Sequence, residues 1–145
     1  MSCLHNAFVE KDAVTVEEEL TDIMMETISF MDEQESYYHG LVAGLLTGIK
    51  GYITKSNRES GKGRSDLVVK PVSRRREAFI IEFKVAKRLA ELGAKTDEAL
   101  KQIVDREYDR ELLDDNYNLI SHYGIAFCGK ECAVKVESGF THGPL

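Results

Sequence analysis

The segment AFIIEFKVA, residues 78–86, places the strongest constraint on how this chain can fold. Its apolar side chains fall on both faces of an extended strand, which predicts a buried strand covered by other elements on each side. Glu82 and Lys84 interrupt this pattern two positions apart, so their side chains lie on the same face. Because burying an unpaired charge costs several kcal/mol or more, a buried strand with two charges indicates a use for them.

Hydrophobic periodicity and turn residues predict the elements around this strand. An apolar stripe that includes Leu20 and Met24 predicts an N-terminal helix with Thr15 as its N-cap. The first three strands are joined by hairpin-like turns, which predicts an antiparallel meander. The predicted order is α-α-β-β-β-α-β-β, a mixed sheet covered by helices. The predicted helices span residues 14–32, 35–46 and 96–113, and the predicted strands span residues 51–57, 65–72, 78–86, 122–129 and 132–137.

Length and composition predict one soluble domain. A chain of 145 residues, 43% of them hydrophobic and 30% charged, is long enough to bury a sizeable core. No apolar run reaches the roughly 18 residues of a membrane span, and the N-terminus does not resemble a signal peptide. Three cysteines, an odd number, do not suggest a disulfide framework. We therefore expect a reducing, cytoplasmic compartment and no membrane partner.

Charge is strongly segregated along the chain, although the net charge is only −6. Residues 1–49 contain one Lys or Arg against ten Asp or Glu, and residues 89–145 contain six against eleven. Residues 50–88, which include the charged strand, contain twelve Lys or Arg against four Asp or Glu. A plain cluster of surface cations is one explanation. Segregation this strong favours a face that binds an anion such as a phosphate backbone.

Three charged residues are expected to converge where two of the predicted strands pair. Asp66 opens one strand after a Gly-rich basic turn, and Glu82 and Lys84 lie on the adjacent strand. Two neighbouring carboxylates repel each other, and a bound Mg²⁺ removes this repulsion. Mg²⁺ typically binds one or two carboxylates, keeps several waters and takes further oxygens from a phosphate. A Lys beside such a metal can orient or deprotonate a water for attack on phosphorus. The pattern therefore predicts a Mg²⁺ site, in which Mn²⁺ is expected to substitute.

The spacing D-x15-E-x-K of these residues resembles the catalytic signature of the PD-(D/E)XK nuclease superfamily. The resemblance is closest to a bacterial branch that usually forms the C-terminal nuclease-like domain of AAA-ATPase-like proteins. Ser65 stands where the written motif has Pro, a position that is commonly variable. The resemblance covers residues 35–137 and, more loosely, residues 16–30. The segments that carry it are ESYYHGLVAGLL, GYITKSNRESGKGRSDLVV, AFIIEFKVA, ALKQIVDREY and YGIAFCGKECAVKV.

This resemblance implies an α/β fold with a restriction-endonuclease-like core, αβββαβ. In that core, helices flank a mixed β-sheet, and here an extra N-terminal helix precedes it. Residues 1–145 would form a single domain, with residues 1–34 as an acidic N-terminal helical extension, 35–137 as the nuclease core and 138–145 as a tail. The chain would be an excised domain or a stand-alone version, and an ATPase domain or partner would lie outside it.

The resemblance also implies roles for individual residues. Asp66 and Glu82 would bind the metal together with the backbone carbonyl of Phe83, and Glu35 would complete the site directly or through water. Lys84 would serve the attacking water. Gln102 matches a polar helix residue that points toward the catalytic site, with a solvated helix position as the alternative. Apart from the resemblance, the basic residues that flank the metal candidates in the sequence are expected to contact phosphate, with solvated loop positions as the alternative: Arg58, Lys62, Arg64, Arg74, Arg75 and Arg76. His39 is a further candidate for contacting a phosphate or stabilising the leaving group.

The acidic and histidine candidates also have structural explanations. Glu82 and Lys84 could form an ion pair on an edge strand, and Asp66 could stabilise the Gly-rich turn. Glu35 and His39 stand four apart on one helical face, which an i,i+4 surface pair would explain equally well.

Taken together, the sequence predicts a metal-dependent nuclease that hydrolyses phosphodiester bonds by metal-activated water attack. DNA is favoured over RNA by the resemblance alone, and a homodimer would let two sites address both strands. An alternative from another class is a non-catalytic nuclease-fold module that binds nucleic acid or a partner protein. A third candidate is an enzyme that acts on another phosphate compound, such as a nucleotide.

Overall fold

The computed structural model describes residues 3–27, 35–57 and 65–141 as a five-stranded sheet with helices on both faces. A 3-10 turn at Leu89–Glu91 precedes the fourth helix. The helices are α1 Cys3–Val9, α2 Ala13–Thr27, α3 Glu35–Leu46, α4 Leu92–Asp105 and α5 Asp109–Asp114. The strands are β1 Tyr52–Ser56, β2 Leu67–Pro71, β3 Ala78–Val85, β4 Leu119–Cys128 and β5 Glu131–Thr141.

The strands lie in the order β1-β2-β3-β4-β5. The first three form the predicted antiparallel meander. The chain then crosses one face of the sheet through α4 and α5, so β4 pairs parallel to β3, and β5 returns antiparallel to β4. The predicted α/β fold with a mixed, helix-flanked sheet is confirmed. β5 extends to Thr141, so its last four residues lie in the segment that the sequence predicted as a tail.

The sheet separates two hydrophobic cores, and β3 contributes to both. Phe79, Ile81 and Phe83 pack with α1, α2 and α3 on one face. Ala78 and Ile80 pack with α4, α5 and their connection on the other. All five side chains are at most 2% exposed, as the apolar pattern of this strand predicted. Glu82 and Lys84 follow Ile80 on the face that α4 covers.

The N-terminal region differs from the prediction in two ways. The first helix, α1, was missed because seven residues are too short to show a helical period, yet its Phe8 is fully buried. The predicted N-cap of the next helix, Thr15, is wrong. Asp12 caps α2 instead, because its Oδ1 accepts the Thr15 backbone N–H at 3.2 Å. The part of the predicted helix beyond Thr27 lies outside the described residues.

The helix predicted for residues 96–113 is broken between α4 and α5. Glu107 has a left-handed backbone with φ +52°, and the N–H of Tyr108 bonds the carbonyl of Ile103 at 3.2 Å. Together with the bond from the Glu107 N–H to the Val104 carbonyl at 3.1 Å, this is a Schellman ending. Such endings usually contain Gly, and its absence hid this one from the sequence. The break returns Tyr108 to the sheet.

The described helices contain no segment that is both long enough and apolar enough to cross a membrane.

Gly124 allows α4 to approach the sheet closely beside Glu82, its register partner on β3. A methyl group on Gly124 would lie 2.6 Å from the backbone oxygen of Thr96 and 3.1 Å from Leu100 Cγ. A backbone atom cannot move aside without shifting the helix. The absence of a side chain at Gly124 therefore determines how near α4 lies to β4, the strand beside Glu82.

We predict that Gly124→Ala lowers the free energy of unfolding by about 1–3 kcal/mol, because it overpacks the contact between α4 and β4. Denaturant unfolding measures the change. Gly44→Ala is the matched control: a methyl group there meets nothing within 4 Å, and α3 should gain about 0.5–1 kcal/mol from the better helix former. Equal stabilities of the two variants would show that α4 does not rely on this close approach.

Candidate active site

Two hydrogen bonds from backbone N–H groups to carboxylates link the segments of Asp66 and Glu82, where β2 and β3 pair. The backbone N–H of Asp66 donates to Glu82 Oε1 at 3.0 Å, and the N–H of Phe83 donates to Asp66 Oδ2 at 2.8 Å. The pairing of Leu67 with Ile81 places the two acidic residues at adjacent positions just beyond the last ladder pair. The two carboxylates therefore converge, as the sequence led us to expect.

The surroundings of Glu82 disfavour its charged form. The residue is only 4% exposed, and burial followed by the negative charge of Asp66 raises the pKa of its carboxyl to about 8. Lys84 offsets part of this effect. A second positive charge near both carboxylates would favour the ionised form of Glu82 further. A bound divalent cation is expected to have this effect.

Gln102 on α4 links Glu82 and Lys84. Its Oε1 accepts a hydrogen bond from Lys84 Nζ at 2.6 Å, and its Nε2 donates to Glu82 Oε2. Since ammonium only donates and carboxylate only accepts, these two partners fix the orientation of the amide. Lys84 Nζ also lies 3.9 Å from Glu98 Oε1. The predicted catalytic residues on β3 and α4 thus form one connected network.

Tyr108, at the break between α4 and α5, belongs to the same network. Its hydroxyl accepts a hydrogen bond from Gln102 Nε2 at 3.2 Å, while its ring packs in the core beneath α4. The helical period gave no signal for this contact, because it depends on the break at Glu107. Tyr108 helps to hold the amide that orients Lys84.

Helix α3 approaches the same carboxylates from the other face of the sheet. His39 is 3% exposed, its Nε2 is 2.7 Å from Ser56 Oγ, and its Nδ1 is 3.8 Å from Asp66 Oδ1. A buried ring in these contacts is not a surface-pair residue. Glu35 lies one turn earlier, and lost solvation followed by the charge of Asp66 raises the pKa of its carboxyl. Both predicted residues therefore lie near Asp66: its carboxylate is close to the His39 ring, and its charge contributes to the raised pKa of Glu35.

The arginines of the β2–β3 turn lie at the opposite end of the strand pair from these residues. Asp66 precedes β2 and the turn follows Pro71, so about 17 Å of extended strand separates them. Arg74 donates to the backbone oxygen and a carboxylate oxygen of Asp115, each at 3.0 Å. Arg75 and Arg76 are exposed in the same turn. The other predicted phosphate contacts, Arg58, Lys62 and Arg64, lie outside the described residues.

The oxygen atoms at this site suit a small divalent cation. Among the described residues, no three His, Cys, Asp or Glu side chains form a ready metal cluster. Mg²⁺ does not need one, because it usually takes one or two carboxylates and keeps several waters. Asp66 and Glu82 supply the carboxylates. The carbonyl of Phe83 points to the same side of β3 as its N–H, which bonds Asp66, so a backbone oxygen also faces them.

Comparison with protein families gives a match over most of the chain. Residues 33–137 match a family model described as the PD-(D/E)XK nuclease superfamily. No curated protein and no solved structure matches the chain. The matched residues include Glu35, His39, Asp66, Glu82, Lys84, Gln102 and Tyr108.

We predict that Glu82 makes the metal-free protein less stable as the pH rises. Its pKa is higher in the folded protein than the ordinary 4.5, so its contribution to stability is complete below about pH 4.5 and is lost as the pH rises to about 8. Between these pH values in EDTA, the wild type should lose more unfolding free energy than Glu82→Gln.

Denaturant unfolding across this pH range measures the difference, and any pH-independent cost of the substitution cancels. Exposed Glu26→Gln is the control and should follow the wild type. If Glu82→Gln lost as much stability as the wild type, the raised pKa of the Glu82 carboxyl would be contradicted.

Proposed function

Because the chain belongs to the PD-(D/E)XK nuclease superfamily, we propose that it is a metal-dependent nuclease that hydrolyses phosphodiester bonds in nucleic acid. The observation that carries this proposal is the pair of hydrogen bonds that brings the carboxylates of Asp66 and Glu82 together. Lys84 is joined to Glu82 through the side-chain amide of Gln102. A structural ion pair would join Lys84 directly to Glu82. Here an amide stands between them, and both carboxylates remain close together.

Asp66 and Glu82 would hold the cation with the Phe83 carbonyl, and Glu35 would contact it directly or through water. Both acidic side chains on the sheet are fixed by backbone N–H groups, so their oxygens need little rearrangement to bind. When bound, a divalent cation supplies a Lewis acid that lowers the pKa of water and neutralises charge on phosphate.

Lys84 would position the attacking water and stabilise the charge that builds on the phosphate oxygens. Its Nζ is held by Gln102 Oε1, and Gln102 is held in turn by Glu82 and Tyr108. This restraint keeps the ammonium group from folding onto Glu82. A group fixed in place before the reaction stabilises charge without reorganising during it, which is where such a group contributes most.

Finer features of the proposal rest on the sequence: its resemblance to the nuclease branch, its pattern of carboxylates and its cysteine usage. We infer DNA as the substrate rather than RNA, and Mg²⁺ as the cation with Mn²⁺ able to replace it. We also infer membership of the bacterial branch associated with AAA-ATPase-like proteins, and a cytoplasmic location. An ATPase domain or partner, and a homodimer acting on both strands, extend the same proposal.

One observation favours the alternative of a non-catalytic module that binds nucleic acid or a protein. Both oxygens of Glu82 already accept hydrogen bonds, from the Asp66 N–H and from Gln102 Nε2. A site that never binds metal could be stable in this form. The two proposals differ in whether metal binds Asp66 and whether substrate is cut.

The test of nuclease activity is cleavage of plasmid, linear duplex, single-stranded DNA and RNA by the purified protein in Mg²⁺, Mn²⁺ or EDTA. We expect metal-dependent cleavage that falls by about 100-fold or more in Lys84→Ala, because a preorganised charge is lost. Lys101→Ala is the control: it removes one positive charge from an exposed position of α4, and this variant should cleave like the wild type. Binding without cleavage in all three proteins would instead support the non-catalytic module.

Metal binding is predicted to stabilise the folded protein independently of activity. A divalent cation at about 100 times its dissociation constant adds about 2.7 kcal/mol, which raises the melting temperature. Mn²⁺ should stabilise the wild type and exposed Asp22→Asn equally, and should have little effect on Asp66→Asn. If Asp66→Asn were stabilised as much as the wild type, the metal would bind elsewhere.

A further inference from the structure

A groove of about 640 Å³ runs beside the candidate active site, between the β1–β2 edge of the sheet and α5. It exists because the helices on this face do not cover the whole sheet. Helix α4 packs on β3, β4 and β5, which leaves the same face of β1 and β2 partly open. We call this feature the lateral groove. Its floor includes Val68 of β2.

The lateral groove begins at the catalytic network. Ser65, which precedes Asp66, lines it, and so does Tyr108, whose hydroxyl bonds Gln102. Val68 pairs with Ile80 on β3, so the floor of the groove lies on the face of the sheet that also carries Glu82. A chain-like ligand that passes the active site can therefore continue into the groove without crossing the sheet.

Four cations from three parts of the fold line this groove: Lys55 on β1, Lys70 on β2, and Arg106 and Arg110 at the break between α4 and α5. Arg106 has no ion pair within the described part of the chain. The left-handed turn at Glu107 places the two arginines beside the groove while it directs Tyr108 inward. The same break that completes the catalytic network thus supplies half of the cations.

The acidic residues of the groove hold two of these cations only weakly. Lys55 Nζ lies 3.4 Å from Glu111 Oε1, and Arg110 lies 3.0 Å from Glu107, and all four side chains are more than 40% exposed. Exposed ion pairs of this kind contribute about 0–1 kcal/mol. A phosphate group can replace such a carboxylate at little cost, so these cations are available to an anionic ligand.

We propose that the lateral groove binds the phosphate backbone of one nucleic-acid strand next to the bond that is cut. This inference rests on the proposed nuclease function and adds the path of the substrate. The volume lies within the roughly 300–1,000 Å³ of small-ligand sites, which suits a short stretch of one strand. The arginines of the β2–β3 turn, at the far end of the strand pair, lie off this path.

The test is binding of a fluorescently labelled oligothymidylate in EDTA, measured over a range of salt concentrations. Each lost phosphate contact should reduce the slope of log affinity against log salt by about 0.7 for a single strand. We expect this reduction for Lys55→Ala and Arg106→Ala. Arg75→Ala and Arg76→Ala remove the same charge from exposed positions of the β2–β3 turn and should keep the wild-type slope.

A second set of variants predicts the opposite effect. Glu111→Gln removes the carboxylate next to Lys55 and should tighten binding of the labelled strand. Glu18→Gln changes the net charge equally on exposed α2 and should leave affinity unchanged. Thermal melting shows that each variant is folded.

The outcomes separate this proposal from the nuclease proposal. Equal slopes for the groove and turn variants, or equal affinities for the two glutamine variants, would overturn the groove, even if the wild type cuts DNA. Weaker binding in the groove variants without any metal-dependent cleavage would support the groove and overturn catalysis. A wild type that neither binds nor cuts at low salt overturns both.

Discussion

The reciprocal hydrogen bonds between Asp66 and Glu82 are the constraint on which the rest of the site depends. Each carboxylate accepts a backbone N–H from the other strand, so the two acids are brought together by the pairing of β2 with β3. Burial of Glu82, followed by the negative charge of Asp66, raises the pKa of the Glu82 carboxyl to about 8, and Lys84 offsets only part of this effect. A divalent cation between the two carboxylates would favour their ionised forms, which is why we propose that this site binds metal.

Close packing around this pair places the remaining groups. Gly124 lets α4 approach the sheet, which brings Gln102 within hydrogen-bond distance of Lys84 on β3. The break after α4 then returns Tyr108 to Gln102 and places Arg106 and Arg110 beside the lateral groove. Helix α4 therefore has two roles, because it covers one hydrophobic core and its Gln102 also orients Lys84, the residue proposed to position the attacking water.

The sequence revealed what depends on strand periodicity and strand pairing. The near-continuous apolar run in residues 78–86 predicted a strand buried on both faces, and the predicted meander brought Asp66 beside Glu82. It did not reveal α1, which is too short for a helical period, or the break at Glu107, which lacks the usual Gly. The arginines of the β2–β3 turn were expected near the acidic pair because they flank it in the sequence. A hairpin places its turn at the far end of its strands, so these arginines lie away from the pair.

The most direct test of this account is anomalous scattering from crystals grown with Mn²⁺. We predict a metal peak between the carboxylates of Asp66 and Glu82, next to the Phe83 carbonyl, and no peak there in crystals of Asp66→Asn. A wild-type crystal with saturating Mn²⁺ and no peak between these carboxylates would contradict the account. The hydrogen-bonded pair would then be a structural feature of the sheet and not a metal site.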